Sequence, residues 1–381
     1  MVSWQTKLTL LLVSTMTIMS GTAVVASLPM IKEHFRDVAH VDLYSKLILT
    51  APAIAIAFFA PWTGKLASYF GKKQTLVVAL GLFSLFGMMG AWAQSIEGII
   101  LSRLLFGVCV AVLMSISLAL VGDYMHLSER VKYLGYQNTF VALGGVLFMA
   151  GGGYLSEYSW QGAFYIYATG LVVMAMALLF LYEPSQTVQG HEGPELSLGG
   201  FWRLWPVFGT AVLTLSVFYM VPTQLPYLLH DSYQMEGRAV GMLMATVTFV
   251  SAIVSLFYRF LRKHWSVAKV YTFLFCVQGS GFVSLSLAHT YLQFSMALML
   301  VGVGVGLAIV NTNSWLLETA RDHERLRATG WLTGSIFLGQ FLSPLLLHLP
   351  VSMWGVSRAF FLVGLLLLSV SVVILYRLMR R

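Results

Sequence analysis

Long apolar runs, separated by short polar stretches, fill almost the whole of this 381-residue chain. A helix needs about 20 apolar residues to cross the hydrocarbon of a bilayer. That ruler predicts spans near residues 7–30, 46–66, 74–94, 98–122, 132–156 and 160–182. A polar stretch from Glu183 to Gly200 follows, with Pro184, His191, Glu192, Pro194 and Glu195 in it. Six more spans come near 203–229, 239–261, 268–288, 292–316, 326–349 and 354–377. The expected organisation is an N-terminal six-helix bundle over 1–182, a cytoplasmic linker over 183–200 and a C-terminal six-helix bundle over 201–381. The first run, Leu8 to Met30, exceeds the apolar core of a secretory signal and has only Lys7 before it, so it reads as the first helix.

Composition agrees with the spans. Apolar residues make up 58% of the chain and charged ones only 10%, far below the roughly 25% of a soluble domain. A lipid-facing exterior resolves that excess. Cys109 and Cys276 both lie inside apolar runs, give no disulfide framework or metal-ligand spacing, and read as small core residues. The net charge of +8 would suggest nucleic acid in a soluble protein, but here it is scattered through loops and reports topology instead.

Lys and Arg favour cytoplasmic loops. With the N-terminus inside, seventeen of them fall on the cytoplasmic side. Five fall outside, namely Lys32, Arg36, Lys46, Arg238 and Arg358, and Arg103 is left within a span. Both termini are therefore expected in the cytoplasm and the chain in the inner membrane. The halves also echo each other. Asp123, Glu129, Arg130 and Gly135 recur 195 positions later as Glu318, Glu324, Arg325 and Gly330. Leu28-Pro29 recurs as Leu225-Pro226, and Ala163-Phe164 as Ala359-Phe360. Parallel six-helix repeats of this kind build secondary transporters, with a substrate site near the midplane between them.

The stretch Gly64-Lys65-Leu66-Ala67-Ser68-Tyr69-Phe70-Gly71-Lys72-Lys73 resembles G-x-x-x-D-R-x-G-R/K-R/K, the signature of the major facilitator superfamily. Gly64 suits a close helix approach, Gly71 a sharp turn, and Lys72 and Lys73 an anionic cytoplasmic face. Ser68 and Tyr69 replace the family's Asp and Arg, so its charge lock is weakened or rebuilt, with Asp123 available to Lys72 or Lys73. Leu101-Ser102-Arg103-Leu104-Leu105-Phe106-Gly107 is similar to the family's membrane-embedded Arg motif. Arg103 then serves either coupling or plain snorkelling to the outer headgroups. In the fifth span Gly144, Gly152 and Gly153 match an exporter glycine motif, but Phe148 and Met149 replace its Gly-Pro, so the segment reads first as packing. Trp160 and Phe164 resemble the opening of the family's sixth helix. The resemblance covers essentially the whole chain. It implies an all-α membrane protein of the major facilitator fold, twelve transmembrane helices in two pseudo-symmetric bundles, in the drug and metabolite efflux branch.

Acidic residues avoid the middle of every span. The nearest are Glu33 and Asp37 beyond the first helix, with Asp123 and Glu318 at the inner ends of the fourth and tenth, each a loop or gate charge. No proton carrier is visible, and no histidine pair has metal-ligand spacing. Amides inside the spans say more: Gln137, Asn138, Gln224, Asn311, Asn313 and Gln340 need partners in lipid and should face the interior. Gln224 lies between Pro222 and Pro226, near Tyr219 and Tyr227, which suits either an adaptable apolar pocket or a kinked packing helix. The Gly302-Val303-Gly304-Val305-Gly306 run is flexible or a close-contact face. No Walker motif occurs, so ATP-driven transport by this chain, a cofactor and an enzymatic role are not expected.

The expected function is proton-coupled export of a small amphipathic molecule by alternating access. Arg103, Asp123, Gly64, Gly71, Lys72 and Lys73 would couple or gate, and Gln224, Tyr219, Tyr227, Asn138, Asn311 and Asn313 would bind substrate. Its partners would be a drug-like or siderophore-like molecule, protons and membrane lipids, with no nucleic acid, and the monomer would suffice. Uptake of a nutrient and a transport-dead receptor are the alternatives.

Overall fold

A computed structural model describes residues 2–184, 198–321 and 324–380. The chain divides into two compact units, Met1–Glu192 and Gly193–Arg381. Most of the expected linker, with His191, Glu192 and Glu195, lies outside the described residues, as do Asp322 and His323.

The first unit contains α1 (Trp4–Ile18), α2 (Leu28–His34), α3 (Val41–Phe59), α4 (Thr63–Phe70), α5 (Lys72–Met89), α6 (Ile96–Tyr124), α7 (Leu127–Ser156), α8 (Gly162–Tyr165) and α9 (Thr169–Phe180). The second contains α10 (Leu198–Tyr233), α11 (Gly237–His264), α12 (Val267–Leu287), α13 (Tyr291–Thr319), α14 (Arg325–Trp354) and α15 (Val356–Met379). Among the described residues twelve helices are long and apolar enough to cross a membrane, one at each predicted span. Side-chain caps start several of them. Ser95 accepts from Gly98 ahead of α6, and Thr290 and Gln293 form a capping box at α13.

Two spans differ from the reading of the sequence. The first is broken: α1 and α2 are separated by short 3₁₀ turns at Met19–Gly21 and Val25–Ser27. The second begins at Val41 rather than near 46, because its opening turn carries Asp42 and Tyr44 and does not register as apolar. That shift draws Lys46 into the helix, where it is buried.

The duplication seen in sequence recurs in the packing. A methyl group at Gly107 of α6 would meet the Pro52 carbonyl oxygen of α3 at 2.5 Å, and one at Gly302 of α13 would meet the Val247 carbonyl of α11 at 2.9 Å. Both members of that contact are displaced by 195 positions. Gly144 of α7 against Thr15 of α1 returns as Gly339 of α14 against Val212 of α10. Gly170 of α9 against Ser84 of α5 returns as Gly364 of α15 against Gly279 of α12. Even a capping contact repeats: Arg130 donates to the Gly122 carbonyl and Arg325 to the Leu317 carbonyl, each eight residues back. Small residues where backbones meet replace the hydrophobic drive that lipid cannot supply.

The Gly302–Gly306 run is a close-contact face, with Gly302 and Gly306 on α11 and Gly304 under Gln278 of α12. Cys109 is buried as expected. Cys276 is exposed on α12, so it is not a core residue; residue type alone does not say which face of an all-apolar helix turns inward.

Candidate functional site

Breaking the first span frees backbone carbonyls inside an apolar unit, and each needs a donor. The Met19 carbonyl accepts the Thr22 and Ala23 N–H groups, and two side chains add further donors. Arg103 of α6, fully buried, donates through Nη2 to the Ser20 carbonyl at 3.0 Å and through Nε to the Ile48 carbonyl of α3 at 3.3 Å. Tyr167, beside α9, donates its hydroxyl to the Met19 carbonyl at 3.2 Å. The guanidinium lies 4.4 Å from the Phe106 ring centroid and 5.0 Å from that of Tyr167, close enough for cation–π attraction. Its Nη1 has no hydrogen-bond partner among the described residues. Snorkelling does not fit this side chain, which turns into the unit and holds spans 1, 2 and 4 together. On the other flank Gly152 of α7 lets the break approach, since a methyl group there would lie 1.9 Å from the Ala23 carbonyl oxygen.

A second cluster sits at the opposite end of α6. Lys72 Nζ lies 2.6 Å from Asp123 Oδ2, with both side chains largely shielded. The backbone N–H groups of Lys72 and Lys73 donate to the two carboxylate oxygens of Glu183, at 2.7 and 2.8 Å. Glu183 thereby caps the N-terminus of α5, where orphan donors and the helix dipole both favour an anion. Gly71 makes room: its φ is +83°, and a methyl group there would strike the Glu183 carboxylate at 3.0 Å. Lys73 Nζ adds a bond to the Leu178 carbonyl at 3.0 Å, and Tyr124 stacks on Tyr182. Ser68 and Tyr69, where the family has Asp and Arg, are exposed. Gly64 is exposed as well, and a methyl group would meet nothing within 4 Å, so no close helix approach exists there among the described residues.

Replacing Glu183 by Ala should lower the stability of this end by about 1 kcal/mol, the usual worth of a helix cap. Thermal unfolding in detergent reads this as a lower midpoint, with Glu183→Gln falling between the two.

The second unit repeats the pattern with different residues. Glu318, the repeat of Asp123, pairs with Arg262 of α11. Glu324, buried at the start of α14, pairs with Arg203 of α10 and accepts the Arg321 N–H. Beside it Leu204, Phe208, Leu316, Ala320 and Leu332 form an apolar core.

The candidate substrate residues fall into three groups. Gln224 is fully buried with neither end of its amide partnered among the described residues; Tyr227 is buried and Tyr219 half-buried on the same helix. Asn311 is buried but occupied, accepting from Tyr258 at 3.0 Å and donating to the Val267 carbonyl at 3.2 Å, which ties α13 to α11 and α12. Asn313 donates to the Ile309 carbonyl of its own helix. Asn138 is exposed, while its neighbour Gln137 reaches Ser14 of α1 at 2.7 Å. Arg103 and Asp123 are not brought together: twenty residues, about 30 Å of helix, separate them along α6.

Reading the sequence passed over Lys46, Tyr167, the capping role of Glu183, and Gln278, a second fully buried glutamine whose amide has no partner among the described residues. Its position among apolar residues of the ninth span was the one available signal.

Twelve spans in two units that repeat in sequence and packing, with a buried charge beside a broken helix, are an architecture that secondary transporters share. The chain belongs to the Major Facilitator Superfamily, whose profile matches residues 10–236 and 206–381. Among the described residues its twelve candidate spans make it a multi-pass membrane member of that family. It is similar to the quinolone resistance protein NorA of Staphylococcus aureus (strain MSSA476), 26% identical over 196 residues, which cover 50% of each chain. It is also similar to the MFS-type transporter calB of Penicillium decumbens, 27% identical over 241 residues, 61% of this chain and 41% of that one. The chain thus spans about half the length of the curated relatives it matches. Among solved structures, a bacterial homologue of the human lysosomal transporter Spinster superposes with a TM-score of 0.82 at 14% identity, covering 98% of this chain and 96% of the other. The D-xylose-proton symporter gives 0.74 at 12% identity, covering 96% and 97%. Likeness at that identity speaks for the fold alone.

Proposed function

We propose that the chain exports a small amphipathic molecule from the cytoplasm in exchange for protons, working as a monomer in the inner membrane with both termini cytoplasmic. Arg103 carries the reading. A wholly buried guanidinium held by one carbonyl of the broken first span and one of α3 is expensive in an apolar unit, and such a charge marks a functional pathway by default. Its contacts reach three spans at once, so a change in its hydrogen bonding shifts the broken segment of the first. Gly71, Lys72, Asp123 and Glu183 form the cytoplasmic clasp that opens and closes with each cycle, and Gly64 leaves open space at its own position on the flanking α4. Gln224, Tyr219 and Tyr227 contact substrate, with Asn138 and Asn313 as further polar points and Asn311 as their scaffold. Similarity to a quinolone resistance protein supports outward transport of an amphipathic compound.

Inside-out vesicles with a preformed acid interior and a pH-sensitive dye test this. Alkalinisation on adding one class among lipophilic cations, organic acids, siderophores and sugars is the expected result. Accumulation of such a compound by intact cells, with no alkalinisation in the vesicles, overturns export in favour of uptake.

A further inference from the structure

We propose that the end of α15 carries a binding site for an anionic phospholipid, with the headgroup phosphate on Arg377 and Arg380 and the acyl chains on Val372 and Val373. The site requires that α15 spans the bilayer, and it is independent of what the protein transports and in which direction.

A groove of about 640 Å³ runs along α15, lined by Val372, Val373, Tyr376, Arg377 and Arg380. The spacing of these five residues puts them on one face of the helix, and Val372 and Arg380 lie about 12 Å apart along its axis. The opposite face is taken. Leu367 and Ser371 are buried there, Ser371 donates to the Thr272 carbonyl of α12 at 2.7 Å, and Gly364 meets Gly279. The groove is therefore turned away from α12, and its five residues are exposed. The valines lie deeper in the span and the arginines at its end, which is the order in which a phospholipid presents acyl chain and phosphate.

Charge selects the lipid. Neither Arg377 nor Arg380 pairs with a carboxylate among the described residues. The sequence holds no Asp or Glu over 237–317 or 325–381, so α11, α12, α14 and α15 contain none. The contacts of Ser371 with Thr272 and of Gly364 with Gly279 make α12 and α15 antiparallel. Exposed Lys269, near the start of α12, thus lies at the same end of the unit as the arginines and adds to their field. A zwitterionic headgroup would bring an ammonium that finds no carboxylate on either helix, whereas phosphatidylglycerol brings the phosphate alone. Guanidinium forks match phosphate oxygens in pairs. That of Arg380 lies 4.4 Å from the Tyr376 ring centroid, a cation–π contact that holds the fork in place before a lipid arrives. Arginines that merely snorkel attract any anionic surface; here an apolar groove beside them seats one molecule.

The test uses the full chain in detergent and native mass spectrometry, with phosphatidylglycerol, phosphatidylethanolamine and soluble glycerol phosphate titrated as probes. Phosphatidylglycerol should bind about tenfold more tightly than phosphatidylethanolamine, and glycerol phosphate should not compete with it at equal concentration. Arg377→Gln and Arg380→Gln should each weaken phosphatidylglycerol by about fivefold, and together by about thirtyfold. Arg358→Gln, at the other end of α15, should leave it unchanged. Equal affinity for the two lipids, or phosphatidylglycerol binding unmoved by the glutamine substitutions, overturns the site. Effective competition by glycerol phosphate replaces it with a site for free phosphate esters. Dimers in place of lipid adducts, lost on substituting the arginines, overturn it in favour of a second copy of the chain. The single variants keep the test decisive if the double variant does not purify as a folded species.

Discussion

Arg103→Ala should reduce transport to the vesicle background while the protein still inserts and purifies as a folded species. The truncation removes the charge, the donors for the Ser20 and Ile48 carbonyls, and the cation over Phe106 and Tyr167. Each buried carbonyl left without a donor costs about 1–3 kcal/mol. Offsetting that, the uncompensated charge also disappears, and removing such a charge can be neutral or stabilising. Insertion depends on span length and apolarity, which do not change. Loss of flux with little loss of fold is therefore the expected signature. Arg103→Lys should restore the charge but not the function, because one ammonium on a shorter reach does not reproduce the planar fork across two backbones. Dye-reported flux and size-exclusion profiles of the same preparations check both halves. Full flux in Arg103→Ala would remove the side chain from the coupling mechanism.

Span number and the duplication were legible because both rest on features that survive without a structure: the thickness of hydrocarbon and a nearly constant offset between matching pairs. Gly71 was legible for the same reason, since a sharp turn before two lysines constrains the residue type. The break in the first span was not. Met19 to Ser27 contains small and polar residues but no proline, and hydropathy averages across it. Lys46 was hidden by the late start assigned to its helix, which placed a buried cation at the very end of the span. The amides show a different limit. Asn311 and Gln224 look alike in sequence, yet one spends its hydrogen bonds on Tyr258 and Val267 and the other keeps them unpaired. Only the neighbours decide that, and they come from distant parts of the chain. Gly64 and Gly152 form a similar pair: both sit in glycine motifs, and among the described residues only Gly152 has an atom within 4 Å of an added methyl group.

Gly152→Ala should be among the most destabilising single-methyl changes in the first unit. The added carbon would lie 1.9 Å from the Ala23 carbonyl oxygen and 2.9 Å from its carbonyl carbon. Those atoms are backbone and cannot rotate aside as a side-chain tip would. Overpacking costs typically 1–3 kcal/mol and sometimes more, and a backbone obstacle places this substitution at the upper end, about 3 kcal/mol. For a unit of this size that corresponds to a fall in midpoint of roughly 6–12 °C. Function should suffer too, because Ala23 belongs to the broken segment that Arg103 and Tyr167 hold by Ser20 and Met19. Pushing α7 away from the break would move those carbonyls relative to their donors. Gly64→Ala supplies the control: the same methyl group enters open space, a helical alanine is favoured over glycine by up to about 1 kcal/mol, and the midpoint should hold or rise slightly. Thermal unfolding of the two variants beside the parent decides it. Equal midpoints for all three would mean that α7 does not press against the break, and the account of how the first span is held open would fall with it.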